Sequence, residues 1–383
     1  MPQPAEFFNR LLGQGQETAR KVQCRNNLAQ MGRALHNYAG QFDSFPPSST
    51  GWIVGPGAFQ VSGRNPTAPS GAGQTIETDA ASPGHGHVYS WLALILPQIE
   101  QPQVRALLDF KALTFDPAST NPALLPRYQR AASTEINVFR CPSFRGNPFS
   151  TATEFSAGGI FTNVALTQYV GMGASTINRL LDPGVPCDGV LFPPKYRIRG
   201  GCSFRDITDG TSNTVLVVET RETKYAVWLD GSTATVWALH ADPAQVGTHP
   251  GSQVKPAGTG GAPFATISAN PGTSTSVLPA LGLGGNSLDT RPQSASGNRV
   301  VFATPQLLRN LSRTSASGAT SPRLVVFNGN WDWGPSSAHS GDGAFHLMAD
   351  SSVQWVQSTV QAQAYLAIST RTGKEPVDGA LTP

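Results

Sequence analysis

The sequence predicts an α+β fold, in which a long N-terminal helix packs on an antiparallel β-sheet and large loop insertions rich in Gly, Pro, Ser and Thr interrupt the chain. Three observations carry that prediction. Apolar residues recur at helical spacing between Cys24 and Tyr38. Short β-branched runs replace that period beyond about residue 160. The 40 Gly and 31 Pro among 383 residues mark a chain with many turns and loops.

The helix is the clearest element. Cys24, Leu28, Met31, Leu35 and Tyr38 step by four and three, which places one apolar stripe on a helix. Arg25, Asn26, Gln30, Arg33 and Asn37 take the opposite face, and Gly40 with Pro46-Pro47 closes the element. Glu17 to Lys21 is good helix material, and Phe7 to Leu12 can extend it, with a bend expected near Gly13. Residues 48–88 read as an extended loop. From Val88 to Phe110 the pattern turns helical again, with a break near Pro97 and a second short helix from about Gln101. Ile136 to Phe139 reads as a short strand ended by Cys141-Pro142.

Strand-like runs follow at Thr162–Val170, Gly189–Phe192 and Thr214–Val218. Tyr225–Leu229 and Thr233–Leu239 suit a hairpin around Asp230-Gly231. Residues 241–299 lack periodicity and read as a surface excursion. Arg323–Phe327, Gly343–Met348 and Val353–Val356 are the closing strands, the last two flanking an Asp350-Ser351-Ser352 turn. The chain therefore divides into an N-terminal helix over 1–45, a looped and helical middle over 46–160, and a β-rich region over 161–383.

Composition excludes several function classes. A formal charge of +3 with no basic block argues against nucleic acid as a partner. No run approaches the roughly 18 apolar residues of a membrane helix, so no membrane span is expected. Four cysteines at wide spacing, Cys24, Cys141, Cys187 and Cys202, allow two disulfides in three pairings. Cys187–Cys202 would close a short loop and Cys24–Cys141 would tie the helix to the body. The alternative is four buried thiols.

Candidate chemistry is sparse. His339, Asp342, His346 and Asp350 lie within twelve residues and could ligate a metal, Ca²⁺ through Asp342 and Asp350 or Zn²⁺ through the imidazoles. Asp206 and Asp209 offer a second set of oxygens, without the spacing or closing Glu of an EF-hand. Turn roles explain all four aspartates more simply. Apart from Ca²⁺ at these carboxylates, no cofactor is expected. Trp331 and Trp333 could form a glycan platform, against the simpler role of core aromatics. There is no G-x-S-x-G elbow, and the Gly-rich stretches 258–261 and 282–285 lack a phosphate-cradle context. A metal-dependent hydrolase would have to use His339, Asp342 and His346.

Several segments, in order, resemble a prepilin-like family of unknown function that is expanded in planctomycete bacteria. They are Glu17 to Leu28 with Leu35-His36-Asn37-Tyr38, Ser90-Trp91 with Leu96 to Gln101, and Phe139-Arg140-Cys141-Pro142-Ser143. Tyr169-Val170-Gly171, Ile207 to Thr214 with Glu219, His339 to Asp350, and Ala367 to Val377 complete the series. The resemblance implies a pilin-like architecture on a non-enzymatic envelope or extracellular protein. Such a protein would serve type II secretion or type IV pilus machinery, with other pilin-like subunits as partners. It also supports the Cys24–Cys141 bridge, because both cysteines lie in matched segments. Two departures stand out. Met1 to Gln16 is polar and carries none of the leader, cleavage site or apolar helix with which members of that family usually begin, so the expectation is either a soluble truncation with a new start or a member that has lost its anchor, and a monomer in the form given. The family's closing signature is His, nine residues, then Asp-Gly, whereas here ten residues separate His339 from Asp350 and Ser351 stands in place of Gly. An extracellular module that binds glycan or an envelope protein through loops 48–88 and 241–299, Trp331, Trp333 and His339 is the alternative.

Overall fold

A computed structural model describes residues 4–50, 89–110, 122–151, 161–174, 187–193, 201–223, 226–231, 233–240, 300–303, 334–341, 343–357, 360 and 362–373. The N-terminal helix α1 (Pro4–Phe42) has 39 residues, a length of about 58 Å at 1.5 Å per residue. It runs through Gly13 and Gly15 as one continuous helix, as expected. Its predicted stripe is the buried one: Cys24, Leu28, Met31 and Leu35 are fully enclosed and Tyr38 nearly so. Arg25, Asn26, Arg33 and Asn37 are exposed on the other side. Residues 12–16 are exposed all round, so burial begins only near Glu17. Gly40 lies inside the helix. The stop comes at Asp43, whose φ of 57° is the left-handed turn that follows many helices.

The middle region follows its sequence pattern closely. Ser90 caps α2 (Trp91–Leu94), accepting a hydrogen bond from the Ala93 amide. A 3₁₀ turn over Leu96–Ile99 carries Pro97, and α3 (Pro102–Ala106) follows. The expected strand at Ile136–Phe139 is instead a 3₁₀ turn over Asn137–Phe139 that buries Phe139. A short apolar run fits either conformation, and packing beneath α1 decides between them. The amphipathic helix α4 (Leu125–Ala132) lay within a stretch given no element.

Among the described residues six strands form one sheet: β1 (Tyr169–Met172), β2 (Val215–Glu219), β3 (Thr235–His240), β4 (Val300–Ala303), β5 (Gly343–Met348) and β6 (Val353–Gln357), in the order β4-β3-β1-β2-β5-β6. The sheet is mixed rather than antiparallel, because β1 and β3 pair in parallel. Periodicity reports which side chains face the core but not strand direction, so the sequence could not show this. The hairpin expected around Asp230-Gly231 does not form. Val227 and Asp230 make isolated bridges to Leu166 and Tyr89, and β3 pairs with β1 and β4. Gly189–Phe192 is a bend that buries Val190 and Leu191. The β5–β6 hairpin forms as expected. Arg323–Phe327, most of loop 48–88 and the 241–299 excursion lie outside the described residues.

The sheet carries a helix on each face. Tyr169, Val217, Phe345 and Leu347 join the α1 stripe in one core. Val170, Val218, Ala344 and Met348 join Tyr365, Leu366 and Ile368 of α5 (Ala362–Ser369) in the other. The alternation along β5 is the period of two that strands impose. His346 shares the α5 face, where its Nε2 lies 2.8 Å from the Tyr365 hydroxyl, and complete burial lowers its imidazole to about 4.

Gly32 sets how closely α1 approaches the β5–β6 turn. A Cβ there would lie 2.9 Å from Ser351 Oγ and 3.0 Å from Leu347 Cδ1. Ser351 itself has a φ of 71°, a left-handed conformation costly for any residue with a Cβ. Its buried hydroxyl has no hydrogen-bond partner in the structure. This is the position where the resembled family places Gly, and the backbone explains that preference. Ser351→Gly relieves both costs and is expected to raise unfolding stability by about 1 kcal/mol in a denaturant titration. A clear loss of stability would show that the hydroxyl contributes more than its geometry indicates.

Candidate functional site

Four segments far apart in sequence meet where α1 crosses the end of β2. Glu17 and Cys24 lie seven residues apart on α1, two turns along one face. Cys141 follows the 3₁₀ turn, whose end is held by a 2.8 Å hydrogen bond from Asn27 Nδ2 to the Arg140 carbonyl. Glu219 ends β2, on the same face as Val217. His339 lies in the segment leading to β5, tied to β2 by the Ser336 amide donating to the Glu219 carbonyl and by the Arg221 amide donating to Ser336 Oγ.

Cys24 and Cys141 form a disulfide with Cα atoms 5.4 Å apart. The predicted pairing of these two cysteines is thus present. Cys187 and Cys202 are buried thiols rather than a second bridge. Each sulfur has turned to a backbone carbonyl, Cys187 toward Gly173 at 3.9 Å and Cys202 toward Ser203 at 3.4 Å. Burial pushes the Cys202 thiol up to about 12, which keeps it protonated and unreactive.

Around the disulfide stands a chain of three ionisable groups. His339 Nδ1 lies 2.8 Å from Glu17 Oε1, and its Nε2 lies 3.5 Å from both Cys141 Sγ and Glu219 Oε1. Ser143 Oγ donates to Glu17 Oε2 at 3.1 Å. Against the upward push of burial, the hydrogen bonds from His339 and Ser143 hold the Glu17 carboxyl below its usual value. An ionised Glu17 can only accept, so Nδ1 carries the proton and Nε2 presents a lone pair to Glu219 and the sulfur. Burial pushes Glu219 up to about 8, the Ser337 hydroxyl and the Phe345 amide pulling only partly back. Burial likewise lowers His339, with Glu17 pulling the other way. The His339–Glu219 contact is therefore a neutral carboxyl facing a neutral imidazole, not an ion pair. Phe345 and Trp355 close the site, both edge-on to His339.

Glu17 also borders an open cleft of about 430 Å³ lined by Arg20, Ser143, Arg145, Arg221 and Thr223 among others. Lys21 caps the far side, donating to the Ser340 carbonyl at 2.5 Å with its ammonium 5.0 Å from the Trp355 ring.

The other sequence candidates do not converge here. The sheet separates His346 from His339, so the two imidazoles cannot share an ion. Asp342, Trp331 and Trp333 lie outside the described residues. Asp206 Oδ2 accepts from the amide and hydroxyl of Ser203 in a capping box. Asp209 Oδ2 accepts from the Gly373 amide at 2.7 Å and from Thr370. Asp350 Oδ1 accepts from the Ser352 amide at 2.8 Å within the hairpin turn. Asp206 thus serves a local cap and Asp350 a local turn, whereas Asp209 ties its loop to the chain beyond α5. No motif in the sequence marks Glu17 and Glu219 as site residues; the seven-residue step from Glu17 to Cys24 is the signal that points to the first of them.

The disulfide closes 117 residues of chain. Cutting a loop of that length from the unfolded state's constraints is worth about 2–5 kcal/mol. The double variant Cys24→Ser, Cys141→Ser is expected to lose that much in denaturant titration. A change under about 0.5 kcal/mol would show that the rest of the α1 interface holds the helix unaided.

No curated protein and no solved structure matches the chain. A family model does, over residues 14–363. That span takes in Glu17, Cys24, Cys141, Glu219 and His339 together, and the chain belongs to the family described as "Protein of unknown function (DUF1559)".

Proposed function

We propose that this protein is a non-enzymatic, pseudopilin-like structural or assembly subunit of the cell envelope or extracellular space, working with type II secretion or type IV pilus machinery. The observation that carries the reading is the division of α1. Its part from Cys24 to Ala39 is built into the core, while residues 12–16 stand in solvent with Leu12 52% exposed. A helix held in the core along its second half and uncovered over residues 12–16 suits lateral packing against like helices. The disulfide supports an oxidising compartment outside the cytoplasm. Among the described residues, no helix is long and apolar enough to cross a membrane.

A second reading is an extracellular binding module. The cleft lined by Arg20, Arg145, Arg221, Ser143 and Thr223 favours it, since guanidinium groups beside hydroxyls suit an anionic glycan or an acidic envelope protein.

One experiment separates them. A photo-crosslinker placed at Val22, 53% exposed on α1, is activated in living cells that express the tagged protein. Crosslinks to pilin-like subunits in the envelope fraction are the expected result. Recovery in the cytoplasm without crosslinks would overturn the assembly reading. Retention on an anionic glycan array, lost in Arg145→Ala and without helix crosslinks, would replace it with the second.

A further inference from the structure

We infer that the Cys24–Cys141 locus has a second, reduced state in which it is a buried Zn²⁺ site with Cys24, Cys141, His339 and Glu219 as its four ligands. This goes beyond the assembly reading and does not depend on it. One ligand atom from each residue lies within 4.8 Å of all the others, and all four residues are buried. Two thiolates, an imidazole and a carboxylate are a ligand set for tetrahedral zinc.

The surroundings point the same way. A disulfide alone needs neither an imidazole nor a carboxylate beside it, and burying both costs free energy. Here His339 Nε2 and Glu219 Oε1 face each other and the sulfur at 3.5 Å, with Oε1 lacking a good hydrogen-bond partner. Nε2, Oε1 and the two sulfurs thus converge on one point, each within 4.8 Å of the others, as the ligand atoms of a single ion do. Glu17 takes the outer role familiar at metal-bound histidines: its carboxylate accepts from Nδ1–H at 2.8 Å and so fixes Nε2 as the donor to metal. Phe345 and Trp355 shield the point from solvent.

Interconversion balances with a dithiol as the reductant. The dithiol gives up two electrons and two protons, ending as its own disulfide, and Cys24 and Cys141 become thiols. Zn²⁺ then displaces both thiol protons and the Glu219 proton to solvent, and the sulfurs separate to about 3.7 Å, the spacing that tetrahedral Zn–S bonds of about 2.3 Å impose. In reverse, an oxidant of the disulfide class takes the two electrons and two protons from solvent to become a dithiol, the Cys24–Cys141 bond re-forms, Glu219 takes a proton from solvent, and the ion leaves.

The test uses the full chain, reduced with a water-soluble phosphine, which leaves as its oxide with oxygen from water. Zn²⁺ is added, excess metal is removed, and bound zinc is measured by mass spectrometry. Co²⁺ is used in parallel for its thiolate charge-transfer absorption. The expected result is stoichiometric zinc in the reduced protein, none in the oxidised protein, and none in Cys24→Ser, Cys141→Ser. Glu17→Gln is expected to weaken binding roughly 10–100-fold, as loss of an outer carboxylate does elsewhere. If reduction unfolds the chain, refolding on Zn²⁺ addition, followed by circular dichroism, supports the site equally. Failure of Zn²⁺ either to bind the reduced chain or to refold it overturns the proposal. Zinc retained in the double serine variant, or Co²⁺ bound without the thiolate band, overturns it as well.

Discussion

The Cys24–Cys141 bond is the constraint on which the arrangement rests. It fixes the midpoint of α1 to the segment that follows the Asn137–Phe139 turn, 117 residues away in sequence. With that point fixed, Leu28, Met31 and Leu35 can only lie over the sheet, and Gly32 lets the helix settle against Leu347 and Ser351. The same bond brings Glu17, two turns earlier, beside His339 and the end of β2. Packing of the helix and assembly of the polar cluster are thus one event rather than two.

The cluster stays neutral where it is deepest and charged where it meets solvent. Glu219 keeps its proton, His339 is uncharged, and Glu17 at the rim is ionised. That gradient follows from burial: a charge on Glu219 would have to be stabilised in an apolar wall formed by Phe345, Trp355 and the disulfide, whereas Glu17 has Ser143, Arg20 and water. It also explains why so polar a junction is compatible with a stable core. Burial favours the neutral form of Glu219 and His339, and the hydrogen bonds to Glu17 favour its ionised form.

Much of this was legible in the sequence, for physical reasons that differ by element. The α1 stripe was readable because five residues kept a strict four-three step and every one of them is buried. The β5–β6 hairpin was readable because two strand runs flank Asp350-Ser351-Ser352. The parallel β1–β3 pair was not, since alternation carries no direction, nor was α5, whose AQAYLAIS run shows no polar face. For the site, His339 and the two cysteines were named, but Glu17 and Glu219 were passed over. A carboxylate on a helix or at a strand end reads as an ordinary surface group until the fold encloses it. The reverse holds for Asp206 and Asp350, which serve a local cap and a local turn, while Asp209 makes a long-range tie to Gly373 that no local pattern announces.

The central claim is that α1 is one rod with its second half inside the core and residues 12–16 in solvent. Backbone amide hydrogen exchange under native conditions tests it most directly. Amides from Cys24 to Ala39 should exchange as slowly as those of β2 and β5, and those of residues 12–16 should exchange far faster. Rapid exchange along the whole of α1, with β2 and β5 still protected, would contradict the claim.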